Sequence, residues 1–210
     1  VSSSVEVDPL TSAAAWSLVN GNGTVSLAAG LITCSTASGV ASAAPNRPSA
    51  YRSLSVSGAR GVDVAVRLAS WTGTLGTLRA QLVVGSKADG GNATYSGTDY
   101  GVLAYASSAT GDLTIGDLLP AFTSRAVLTG ILTLDGQDWL RVVTSAGGYS
   151  VWTGRGGTFA AAVWKLRYVS ATSGSVIYDE VQYVTLNAYR SDVQPQAFTA
   201  TFADLRIVGW

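Results

Sequence analysis

Histidine and methionine are absent from the 210 residues, and cysteine occurs once. Losing histidine removes the commonest general base and a leading metal ligand together. Ser-His-Asp and Cys-His nucleophile systems are excluded, and with a lone cysteine so are zinc sites. Cys34 cannot form an intrachain disulfide. It lies in "GLITCST", an apolar strand pattern, and reads as a small buried hydrophobe, because a reactive thiol wants a basic partner.

Charge is scarce as well. Asp, Glu, Lys and Arg make up 12% of the chain, with 13 acidic and 13 basic residues, and only Lys87 and Lys165 are lysines. No Lys/Arg field exists to neutralise phosphates, so nucleic acid is not an expected partner. No apolar run approaches the roughly 18 residues that span a bilayer, so membrane insertion is not expected either. The longest candidates, such as "AVLTGILTL", are broken by Thr and Gly. No basic segment followed by an apolar one opens the chain, so no signal peptide is expected. A neutral, weakly charged surface associates readily. Solubility is therefore expected to rest on Ser, Thr and Asn, or on assembly with other chains.

What is present is strand pattern. In "VDVAVRLAS", Val62, Val64, Val66 and Leu68 fall on one face, while Asp63, Ala65, Arg67 and Ala69 fall on the other. That period of two with β-branched residues marks a half-buried strand. "LRAQLVVG", "RAVLTGILTL", "WLRVVTS", "YSVWTG", "VWKLRYVS", "SVIYDEVQYVTLNAY" and "FTATFADLRIVG" read alike, separated by Gly-rich turns such as "DGGN", "LDGQD", "SAGG" and "GRGG". Strands at this spacing predict an all-β, two-sheet antiparallel β-sandwich. "DPLTSAAAW" and "TIGDLLPAF" each predict one helical turn, the second stopped by Pro120. Ser35 to Ala50, with Pro45 and Pro48, predicts a long surface loop. With no repeat and no linker, a single sandwich domain over 1–210 is expected.

Three short stretches carry a family likeness. Trp139, Leu140, Arg141 and Val142 are followed by a tight turn and by Tyr149, Val151 and Trp152. Near the end stand Phe202, Asp204, Leu205, Arg206 and Ile207. This arrangement resembles the concanavalin A-like jelly rolls, in particular accessory modules of glycoside hydrolases and domains of phage tail proteins. The resemblance implies two curved antiparallel sheets, often with a concave face that binds sugar.

Glycosidase chemistry needs two carboxylates about 5–9 Å apart. Jelly-roll glucanases typically carry an E-x-D-x-x-E strand, and no such run is present. Glu6 and Glu180 are the only glutamates. Asp179 and Glu180 are adjacent on a strand pattern and so face opposite sides. Asp135 and Asp138 flank an Asp-Gly turn of ordinary hairpin type. No catalytic site is therefore expected. Some jelly rolls bind calcium, and Asp89, Asn92 and Asp99 supply oxygen ligands within one loop without EF-hand spacing. A solvated Gly/Asn/Asp loop is the preferred reading, with calcium the weaker alternative.

The aromatics remain. Flat Trp and Tyr faces stack on sugar C–H groups. In "VWKLRYV", Trp164, Leu166 and Tyr168 share an apolar face expected to be core, opposite Lys165 and Arg167. Trp71, Trp152 and Tyr183, together with Arg141, are the candidate ligand-binding residues, although packing is the commoner role for such side chains. Two functions follow. One is a non-catalytic structural or adhesive module of a virion, in a phage tail or head appendage. It would contact host-surface glycan, other copies of itself or other virion proteins, in a virion or extracellular setting. The other is a carbohydrate-binding module accessory to a secreted polysaccharide-degrading enzyme. A lyase or hydrolase built on a Tyr/Arg or Asp pair is the weakest of the readings.

Overall fold

The computed structural model describes residues 4–7, 10, 13–43, 45–55, 61–73, 77–95, 99–107, 111–118, 122–145, 148–170 and 181–209. Its strands are β1 (Ser4–Val7), β2 (Ser17–Val19), β3 (Gly23–Ala28), β4 (Leu31–Thr36), β5 (Ser49–Ser55), β6 (Val62–Thr72), β7 (Leu78–Gly85) and β8 (Gly101–Ser107). There follow β9 (Asp112–Leu118), β10 (Phe122–Leu128), β11 (Asp138–Ser145), β12 (Gly148–Arg155), β13 (Val163–Val169), β14 (Val181–Arg190) and β15 (Thr199–Gly209). Ala13–Ala15 form a 3₁₀ turn.

The strands make two antiparallel sheets. The eight-stranded sheet runs β13-β12-β11-β6-β15-β4-β3, with β1 also on β15, and the seven-stranded sheet runs β10-β9-β8-β7-β14-β5-β2. From β4 onward the chain crosses between sheets repeatedly, which buries one face of each against the other. Alternation supplies the core directly. Val62, Val64, Val66 and Leu68 of β6 face Leu82 and Val84 of β7 and Val184 and Leu186 of β14 in one apolar cluster. Each such aliphatic side chain contributes about 1.5–3 kcal/mol on burial.

Three local readings are corrected. The described start of "TIGDLLPAF", Thr114–Leu118, is strand rather than helix: Asp112–Leu118 is β9, paired with β8 and β10, because its alternating Leu113 and Ile115 reach the core, while 119–121 lie outside the described residues. The Asp135–Asp138 turn is not a hairpin; it lies in the crossover from β10 in one sheet to β11 in the other. The Ser35–Ala50 loop is shorter than expected, since Ser35 and Thr36 belong to β4 and Ser49 and Ala50 to β5.

A fourth correction bears on function. β12 and β13 slip register between Val151 and Trp152, where Val151 faces Tyr168 but Trp152 faces Leu166. The bulge places an extra residue, Arg167, in β13 and flips the side-chain phase. Tyr168 packs on the core, its ring 5.6 Å from that of Tyr149. Trp164 and Leu166 turn to the opposite, outward face of the eight-stranded sheet.

Candidate functional site

The β11–β12 hairpin is packed on both faces. Leu140, Val142, Tyr149 and Val151 enter the core. On the outward face Arg141 and Trp152 are cross-strand partners. The Arg141 guanidinium donates to Asp63 of β6, Nε to Oδ1 at 2.7 Å and Nη2 to Oδ2 at 2.5 Å. Its plane also lies 5.8, 5.7 and 5.2 Å from the rings of Trp152, Phe159 and Trp164. Beneath them Trp139 is fully buried, and its indole N–H donates to the Gly156 carbonyl at 2.8 Å. Phe159 and Trp164 pack edge-on against it at 5.9 and 6.0 Å. The 156–162 segment thus folds a cap over the sheet. Arg141 is held in a closed cluster, with its charge matched by Asp63, and Trp152 is left half-exposed with its N–H on Ser150 Oγ at 3.0 Å.

Trp71 is elsewhere. It sits at the end of β6 on the core side, its ring 4.5 Å from Phe198 and its N–H on the Gly73 carbonyl at 3.2 Å. Tyr183 is on a third surface, the outward face of the seven-stranded sheet. The structure therefore joins Arg141 to Trp152 and separates both from Trp71 and Tyr183.

The outward face that holds Tyr183 contains residues the sequence reading passed over. Alternation in β14 sends Val184, Leu186 and Ala188 inward and leaves Thr185, Asn187 and Tyr189 outward. β7 presents Arg79, Gln81 and Val83, and β8 presents Leu103 and Tyr105, beside them. Val83, Leu103 and Tyr105 form a small apolar cluster of their own. The Arg79 guanidinium lies 4.6 Å from the ring of Tyr105 and 4.6 Å from that of Tyr189. Arg47 comes over from the preceding loop to lie 4.8 Å from Tyr189. The strand positions facing outward on β8, β7, β14 and β5 hold no Asp or Glu among the described residues. The alternation of "LRAQLVV" and "VTLNAY" was the available signal: a polar-aromatic face set against an aliphatic one.

Asp89 and Asn92 border this face but do not form a cation site. Ser49 Oγ donates to Asp89 Oδ1 at 2.6 Å, and Asn92 Nδ2 donates to Asp89 Oδ2 at 2.9 Å. Asn92 Oδ1 accepts from the Arg47 N–H at 2.9 Å, and Asp99 is paired with Lys87 at 3.0 Å. These oxygens are engaged by donors of the protein itself. Among the described residues no group of three or more acidic, His or Cys side chains is placed to hold a metal.

The other carboxylates are engaged too. Asp135 and Asp138 both pair with Arg155, at 2.6 and 3.4 Å. Hydrogen bonding from Arg155 brings Asp135 down to about 2. Asp138 Oδ2 also accepts the N–H groups of Thr133 at 2.8 Å and Leu134 at 2.6 Å. Asp117, buried, accepts from Arg125 at 2.5 Å and from the Tyr149 hydroxyl, whose own ionisation burial and that carboxylate push upward. Asp179 and Glu180 lie outside the described residues. Cys34 is buried, and desolvation raises its thiol well above the ordinary value.

Comparison with protein-family models and with curated proteins gives no match. Solved structures do match. The metal-free lectin I-B4 of Griffonia simplicifolia superposes with a TM-score of 0.61 at 10% identity, covering 100% of both chains. A β-1,3-1,4-glucanase (lichenase) from a mouse hindgut metagenome gives 0.57 at 11% identity, over 100% of this chain and 99% of that one. The chain has the concanavalin A-like jelly-roll fold. A further jelly roll of this kind, the CBM2 module of the evolved Dit of Lactobacillus casei BL23 phage J-1, gives 0.58 at 12% identity, over 99% and 97% of the two chains. Enzymes and non-catalytic binders therefore share this jelly roll, and the fold alone does not choose between them.

Proposed function

We propose that this chain is a non-catalytic glycan-recognition module, carried on a virion appendage of the phage tail or head type and directed at host-surface glycan. The observation that carries the reading is the outward face of the seven-stranded sheet. Its partly exposed residues are Tyr189, Tyr183 and Arg79, which lie beside the buried Tyr105 and Gln81. Tyrosine faces suit sugar C–H groups, and amide and guanidinium N–H groups suit hydroxyls. Among the described residues its central strands offer no carboxylate pair for glycoside hydrolysis. The likeness to the phage Dit module and the sparse charge favour an appendage over an enzyme accessory.

The test is a polysaccharide array with purified protein, followed by reducing-end assay on every glycan retained. Binding without turnover, lost in Tyr189→Ala and kept in Trp71→Phe, is the expected result. Turnover of a bound glycan would overturn the non-catalytic part. Light scattering addresses the appendage part: a discrete oligomer is expected, and a monomer at high concentration counts against it.

A further inference from the structure

The outward face of the seven-stranded sheet carries more positive charge than its neighbours neutralise. Tyr189 lies between two guanidinium groups, Arg79 at 4.6 Å and Arg47 at 4.8 Å. The Nε of each is buried and without a hydrogen-bond partner. Arg47 Nη1 donates to Gln81 Oε1 at 3.2 Å and to the Gly91 carbonyl, both uncharged. No ion pair joins either guanidinium to a described carboxylate; Asp89, hydrogen-bonded by the neutral Ser49 and Asn92, is a single nearby negative charge set against two cations. Between them Asn187 is fully buried with both amide atoms unpaired, under Gly91.

A guanidinium tolerates this because it is weakly hydrated and stacks on aromatic faces. Stacking uses its π surface, so an anion is met by the in-plane Nη N–H groups that are not already engaged. Two partly desolvated cations facing one nearby carboxylate are incompletely matched, which is costly, so an anion that enters gains on both counts. The two tyrosine rings also hold Arg79 in place before the ligand arrives, which reduces the ordering cost of binding.

Resting on the glycan-recognition reading above, we propose that Arg79 and Arg47, held against Tyr189 and Tyr105, receive the anionic substituent of an acidic sugar. Carboxylates of uronic or sialic acids and sulfate esters share the chemistry required. Neutral sugars would use the same tyrosines without that contact.

The experiment is calorimetric titration of the whole chain with oligogalacturonate, with sulfated dextran oligomers and with neutral laminari-oligosaccharides of matched length, at low and high salt. One or both acidic ligands are expected to bind at least tenfold more tightly than the neutral one, with affinity falling as salt rises. Whichever acidic ligand binds identifies the anion as carboxylate or sulfate. Arg79→Gln is expected to abolish the preference while the melting temperature holds or rises, since an unmatched cation is removed. Equal or tighter binding of the neutral ligand overturns the acidic class and leaves glycan recognition standing. Acidic binding untouched by Arg79→Gln overturns the site. No binding of any of the three overturns both readings.

Discussion

Replacing Arg141 with Met separates its structural role from any role in binding. The Arg141–Asp63 pair is nearly enclosed, with side-chain exposures of 22% and 8%. Met keeps the aliphatic stem against Trp152 and Trp164 but leaves the Asp63 carboxylate desolvated and unpaired. Breaking a buried pair from one side costs about 3–5 kcal/mol, and the residual exposure of Arg141 points to the lower end, about 3 kcal/mol. For a chain of this length 1 kcal/mol moves the midpoint by roughly 2–4 °C, so a loss of about 6–12 °C is expected. Replacing both partners, Arg141→Met with Asp63→Leu, removes the stranded charge and should recover most of that loss. Denaturant melts of the four proteins in a double-mutant cycle measure the coupling. Arg141→Met within about 1 kcal/mol of the parent, or a double variant no better than the single, would refute the view that this pair holds the outward cluster together.

Gly154 has no room for a side chain, because a Cβ there would meet Trp164 Cε3 and Cζ3 at 2.9 Å. Gly154→Ala should cost about 1–3 kcal/mol through displacement of that ring, read as a lower melting midpoint with altered near-ultraviolet dichroism. The Asp135 carboxyl is held at about 2 by Arg155, below its ordinary 3.8. A depressed carboxyl stabilises the fold above its unfolded value and loses that contribution as pH falls through its folded one. The melting difference between the parent and Asp135→Asn should therefore be constant above about pH 5 and shrink steadily as pH falls toward 2; a difference as large at pH 2 as at pH 5 contradicts the pairing. Cys34, buried with a raised thiol, should react with a disulfide reagent only as fast as the protein unfolds, and rapid labelling under native conditions would show the site to be open.

Much of the fold was written in alternation. Val62 through Leu68 and the "WLRVV" strand announce period two, and in both one alternating set enters the core, Val62, Val64, Val66 and Leu68 in the first and Leu140 and Val142 in the second. The misreadings have physical causes. A bulge is a one-residue event with no composition signature, so nothing in "VWKLRYV" shows that Arg167 is the extra residue that turns Trp164 outward and Tyr168 inward. "TIGDLLPAF" mixes a turn proline with an apolar run too short for its period to separate helix from strand. The candidate site was less legible. Arg141 and Trp152 were both singled out, but their cross-strand pairing came from the structure, and the Asp63 that neutralises Arg141 is distant in sequence. Arg79, Tyr189, Tyr105 and Arg47 come from four separate segments, and only strand order brings them onto one face.

β15 follows every other described strand in the chain, yet it lies inside the eight-stranded sheet, between β6 and β4. Until it docks, β4 and β6 both present unpaired backbone along one side, and the aliphatic interior beneath them stays open to solvent. Such half-built sheets capture strands from neighbouring chains. A chain that stops anywhere before Thr199 is therefore primed to aggregate, whereas one that includes β15 closes its own gap.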